Sequence, residues 1–155
     1  MRTITIGEII TDLDKTIPLS WQESYDNAGL LCGNKEEKCT GIYVCFDISE
    51  SVVEKAIANN CNLIVSHHPL VFRAMKRFTS KDNVTTTLLK AITNNIALYS
   101  SHTNLDASNP GVNTILANKL GIRNIRPLCE DTRTNEEGFF GIGGIGALTR
   151  TGVTT

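Results

Sequence analysis

The sequence contains no long hydrophobic run. No segment approaches the roughly 18 consecutive apolar residues of a membrane span, and Met1-Arg2-Thr3-Ile4-Thr5 lacks the apolar core of a signal peptide. An excess of either charge is missing too: 15 Lys and Arg stand against 16 Asp and Glu, a net charge of -1. That balance removes the electrostatic case for a nucleic-acid or membrane partner. Cysteine is too irregular for a disulfide framework or a zinc ribbon, since Cys32, Cys39, Cys45, Cys61 and Cys129 are odd in number and show no Cys-x-x-Cys spacing. Reduced thiols in a cytoplasmic protein are expected instead. No long repeat or low-complexity tract is present. Histidine is scarce, with 3 in the chain and none beyond His102.

What is present suits one compact domain with a real core: 155 residues, 41% apolar and 20% charged. The chemistry is expected within residues 1–128, and a glycine-rich tail occupies 129–155. Thr5-Ile6-Gly7-Glu8 has capping-box spacing and opens a helix with Ile6, Ile9, Ile10, Leu13 and Ile17 at helical intervals, closed by Pro18. Residues 23–33 read as a polar loop entering a short strand. Gly41 to Asp47 reads as a buried strand, and Ser51-Val52-Val53-Glu54 as a second capping box opening a helix. Leu63 to Val65 is a further strand. A helix after Asp82 carries Val84, Leu88, Ala91, Ile92 and Asn95, and Ile96 to Ser100 is a strand. Pro110 stands near the start of a helix bearing Val112, Ile115, Leu116 and Leu120, with Gly121 as its stop. A weak strand covers Ile122 to Leu128. The glycine-alternating stretch Gly138 to Gly146 reads as either a strand with close backbone neighbours or a linker.

Strand alternating with helix predicts right-handed βαβ units, and hence a three-layer α/β/α domain with a largely parallel central sheet. Ligands in such sheets bind beyond the carboxyl ends of the strands. That rule gathers Asp47, His67, His68 and Asp106 on one rim. His67 and His68 stand where the Leu63–Val65 strand meets Pro69, and in extended chain their rings point opposite ways. If residues 102–106 stay extended as well, His102, Asn104 and Asp106 share a side. Imidazoles with a carboxylate suit zinc, iron, manganese or nickel better than calcium. Each residue also has a plain reading: Asp26 and Asn27 as turn residues, Asp47 as a helix cap, His102 and Asn104 as hydrogen-bonded supports, and the histidine pair as one core and one surface residue.

Three segments carry a resemblance: Tyr25-Asp26-Asn27-Ala28-Gly29-Leu30, Ser66-His67-His68-Pro69-Leu70-Val71-Phe72 and Ser101-His102-Thr103-Asn104-Leu105-Asp106, followed by Gly111-Val112-Asn113 and Leu116-Ala117. In that order they resemble the dinuclear metal-centre family known as GTP cyclohydrolase 1 type 2-like, or NGG1-interacting-factor-like. Tyr25 stands where many relatives have Trp. The resemblance implies an α/β fold assembled as a ring-shaped homohexamer, with two divalent metal ions held at the strand ends. It matches His67 and His68 to histidine ligands and Asp106 to a carboxylate able to bridge both ions. Asp26, Asp47, His102 and Asn104 match positions near the site without an assigned role. Family members are longer and draw a further His and Glu from a later His-x-x-x-Glu segment. This chain ends at Thr155 without that segment. It is therefore expected to be an amino-terminal portion that binds metal weakly or holds one ion, and tight two-site zinc or manganese binding in calorimetry would overturn that expectation.

The activity implied is metal-assisted hydrolysis of a nucleotide-like substrate. Lys76 and Arg77 are candidate phosphate contacts, and the helix near Pro110 would aim backbone amides at the rim. One alternative is a non-enzymatic metal-binding scaffold or regulator acting through partners. Another is an enzyme relic in which the histidines only pack.

Overall fold

In the computed structural model, which describes residues 3–130 and 141–148, the central strand is β3, Leu63–Ser66. On one side it pairs in parallel with β2 (Ile42–Cys45), and on the other in parallel with β4 (Ala97–Ser100). β1 (Gly29–Cys32) adds to β4 antiparallel, so the strand order is β1-β4-β3-β2. The expected three-layer α/β/α architecture with a largely parallel sheet is the one observed.

Period-two alternation sends successive side chains of β3 and β4 to opposite faces. Leu63, Ala97 and Tyr99 pack against Ile6 and Ile10 of α1 (Ile6–Thr16). Ile64 and Leu98 pack against Val53 and Ala56 of α2 (Glu50–Ala58), and against Leu88 and Ala91 of α3 (Asn83–Thr93). α1 starts with the capping box read from the sequence: Glu8 N donates to Thr5 Oγ1 at 3.2 Å and Thr5 N to Glu8 Oε2 at 2.9 Å. α2 corrects the sequence reading. Its N-cap is Ser49 rather than Ser51, with Val52 N donating to Ser49 Oγ. Asp47 caps nothing, because its carboxylate is committed elsewhere. α3 is capped by Asp82 and ends before Asn95, which does not belong to the helix but turns the chain at φ 55, as Asn60 does after α2. Asparagine tolerates this left-handed backbone because its short amide bonds locally. Gly33 is needed for contact: at φ +116, a Cβ there would lie 2.5 Å from that of Ala97.

β2 also departs from expectation. It is not a buried strand but the edge of the sheet. Ile42, Val44 and Phe46 are exposed on that face, Val44 at 74%. Burial depends on which strand acquires a second neighbour, which the run of apolar residues does not reveal.

Beyond β4 the chain forms a single helical turn, α4 (Thr103–Asp106), then α5 (Val112–Leu120), which stops at Gly121 with φ 73. Residues 102–106 are thus not extended, the condition under which His102, Asn104 and Asp106 would share a side, because Asn104 Oδ1 accepts from His102 N at 2.9 Å and Leu105 N and Asp106 N return to the His102 carbonyl. β5 (Ile122–Glu130) and β6 (Gly141–Leu148) pair antiparallel as a separate two-stranded sheet. The described part of the glycine-rich stretch is a strand, while Gly138 to Phe140 lies outside the described residues. Among the described residues no helix is long and apolar enough to cross a membrane.

Tyr99 links the layers. Its ring is buried and its hydroxyl donates to Asp14 Oδ1 at 2.6 Å. Burial and then the Asp14 hydrogen bond and charge push its pKa well above the usual 10.0. A raised pKa contributes stability that is complete below pH 10.0 and is lost as pH climbs towards the folded-state value. Tyr99→Phe is expected to cost about 1.5–3 kcal/mol at neutral pH. In urea titrations the gap between the two proteins should close as pH rises above 10.0.

Candidate metal centre

Ser66 and Ser100 face each other across β3 and β4 with their hydroxyls 2.7 Å apart. Ser66 Oγ also donates to the His68 carbonyl at 2.9 Å, which bends the chain just after β3. That bend changes the histidine pair. In an extended chain the two rings would diverge, but here the His67 and His68 centroids are 4.9 Å apart. His102, delivered from the end of β4, brings its ring to 5.2 Å from His67 and 5.4 Å from His68. One ligand atom from each of the three imidazoles lies within 4.8 Å of the others, and all three residues are half-buried. Asp106 adds a carboxylate oxygen 3.9 Å from His67 Nε2.

Each ring has its Nδ1 engaged. His67 Nδ1 is 3.1 Å from the Ser101 carbonyl, His68 Nδ1 is 2.7 Å from Asp47 Oδ1, and His102 Nδ1 is 2.8 Å from Asp26 Oδ1. A carbonyl or an ionised carboxylate only accepts, so each Nδ1 carries a proton, and in the neutral ring Nε2 keeps its lone pair. This is the arrangement by which proteins orient imidazoles towards a cation. The donor set of borderline nitrogens with a nearby carboxylate fits a divalent transition ion, so His67, His68 and His102 form a group able to hold a metal ion.

The strongest anchor is Asp26. Its side chain is 0% exposed, while Asp47 is 69% exposed. Burial alone would push the Asp26 pKa up. Hydrogen bonds from the His102 ring and the Thr103 hydroxyl, and from the main-chain N–H groups of Asn27 and Thr103, outweigh burial and hold it below the ordinary 3.8. Asp26 is therefore a carboxylate at neutral pH and presents full charge to the His102 ring.

Asn104 is fully buried and works on the backbone. Its amide spans His102 N and the Ile17 carbonyl, tying the turn after β4 to the end of α1. Lys76 and Arg77 are exposed in the loop between β3 and α3.

Residues to which the sequence reading gave no role also shape the site. Phe46, 61% exposed, stacks on His67 at 5.1 Å and meets His68 edge-on at 4.5 Å. Phe72 lies edge-on to His102 at 6.2 Å. Thr103 clamps Asp26 through both its amide and its hydroxyl. The only signal for Phe46 was its place beside Asp47 at a strand end.

The model of the family described as Duf34/NIF3 (NGG1p interacting factor 3) matches residues 4–153. A protein of Staphylococcus epidermidis named GTP cyclohydrolase 1 type 2 homolog is 42% identical over 120 residues, which is 77% of this chain and 32% of that protein. One of the same name from Clostridium acetobutylicum is 32% identical over 139 residues, 90% of this chain and 52% of the relative. The chain thus spans between a third and about half of the length of these relatives. Among solved structures, that of a Bacillus cereus protein related to NIF3 superposes with a TM-score of 0.80 at 31% identity, covering 84% of this chain and 36% of the other.

Proposed function

The chain belongs to the Duf34/NIF3 family, and from that premise we propose that it is a metal-dependent hydrolase-like protein, dinuclear in its complete form, acting on a nucleotide. The observation that carries the reading is the commitment of all three Nδ1 atoms to acceptors, which leaves three Nε2 lone pairs for a cation. The name shared by the Staphylococcus and Clostridium relatives supports the substrate class.

His67, His68 and His102 would hold the ion, with Asp106 near enough to join them. When bound, a divalent ion supplies Lewis acidity towards water and towards the group under attack. The protein contributes orientation. Asp26 and Asp47 hold two of the rings, and Phe46 shields one side of His67 from solvent. The His68 ring, 44% exposed, leaves room for a substrate on its side, as a catalytic site requires and a closed structural site does not. Assembly into a homohexamer belongs to the same reading, supported by the apolar row Val112, Ile115, Leu116 and Leu120 that α5 exposes. Sedimentation velocity checks it.

The test is turnover. Protein loaded with zinc or manganese is expected to convert GTP to a chromatographically distinct product, and Asp106→Ala is expected to abolish the conversion. Metal bound with GTP left intact would overturn the hydrolase reading and leave a metal-binding protein that acts through partners.

A further inference from the structure

A cavity of 440 Å³ opens between the first turns of α2 and α3, within the roughly 300–1,000 Å³ of small-molecule sites. Its walls continue from the metal centre in sequence: Ile48 follows Asp47, and Leu70 comes two residues after His68. Ile48, Leu70 and Val84 make apolar walls. Thr87 is 3% exposed and lines the cavity, and its hydroxyl is not one of the sealed, unpaired atoms of the core. A hydroxyl at a cavity wall can donate to a ligand or accept from it. At the rim, Glu50 gives Oε1 to Lys90 at 2.8 Å and keeps Oε2 available.

The lining decides the ligand. A phosphate is disfavoured: no Lys or Arg lines the cavity, and carboxylates of Glu50 and Asp82 already occupy the first turn of α2 and the cap of α3. A flat ring with an apolar face and an N–H-bearing edge suits the apolar walls of Ile48, Leu70 and Val84 and the carboxylate of Glu50. A carboxylate only accepts, so Glu50 suits the adjacent N1–H and N2–H donors of guanine, whereas adenine offers an unprotonated N1 at that place. We propose that this cavity is a nucleobase subsite, with Ile48, Leu70 and Val84 packing on a guanine-type ring, Glu50 taking its donor edge and Thr87 its inner polar atoms. The proposal rests on the nucleotide reading above for its relation to the metal centre, but its binding chemistry needs no metal.

The test uses the ¹⁵N-labelled chain in EDTA with guanosine, adenosine and inorganic phosphate as probes. Guanosine is expected to shift the amides of Ile48, Leu70, Val84 and Thr87 saturably, and adenosine to bind about tenfold more weakly or worse. Glu50→Gln and the near-isosteric Thr87→Val, each retaining a dispersed spectrum, are expected to weaken guanosine about tenfold. Guanosine shifts that are absent or confined to other residues, or phosphate shifting these same amides, would overturn the proposal. Zinc titration of the same samples separates the two readings. Guanosine bound here without zinc affinity at the histidines sinks the metal centre alone, and zinc affinity without guanosine sinks the subsite alone.

Discussion

Alanine in place of Asp26 is expected to weaken zinc binding by roughly 10- to 100-fold, the usual consequence of removing an outer partner of a metal-binding histidine. The expectation comes from what Asp26 alone accepts: the His102 Nδ1 proton, both polar groups of Thr103 and the Asn27 amide. Without it the His102 ring can carry its proton on either nitrogen and rotate, and the Thr103 amide loses its acceptor. Asp47→Ala should cost much less, because the Asp47 carboxylate is mostly exposed and water can take its place beside His68. Isothermal titration with zinc measures both. Heteronuclear NMR of the metal-free imidazoles shows whether the His102 proton has left Nδ1, an effect that general loosening of the fold would not confine to one ring. Equal affinities for the two variants would remove the case for Asp26 as the principal anchor.

Ile64→Ala is expected to destabilise the chain by roughly 2–5 kcal/mol. Set against the roughly 5–15 kcal/mol that holds a typical domain together, that is a large share. Ile64 is 0% exposed in the middle strand and contributes to the core shared by α2 and α3. The sheet cannot close over the void without moving β3, and β3 runs directly into His67 and His68. Val44→Ala, on the exposed edge strand, should change stability by no more than about 0.5 kcal/mol. Urea denaturation compares them, and a Val44 effect as large as that of Ile64 would contradict the assignment of β2 to the edge.

Local rules were enough for the elements whose causes lie within a few residues. Thr5 with Glu8, Asp82 with Thr85, and Gly121 each start or stop a helix through contacts spanning one turn. Leu63 to Ser66 could be read as a strand end for the same reason. The failures have distant causes. Whether Val44 is buried depends on the order of strands; the convergence of the His67 and His68 rings is the exception, with a near cause in the Ser66 hydroxyl that bonds the His68 carbonyl. His102 looked like a support because its proton acceptor, Asp26, lies 76 residues earlier. Thr87 gave no signal, since a threonine in a helix marks a cavity only once a neighbouring helix leaves space beside it.

The acceptor of the His67 proton is the carbonyl of Ser101, not a side chain. No single codon change deletes a peptide carbonyl, so mutagenesis can retune two of the three rings but leaves the third as an internal reference. Any variant in which His67 itself alters its tautomer would therefore report displacement of the β3–β4 backbone.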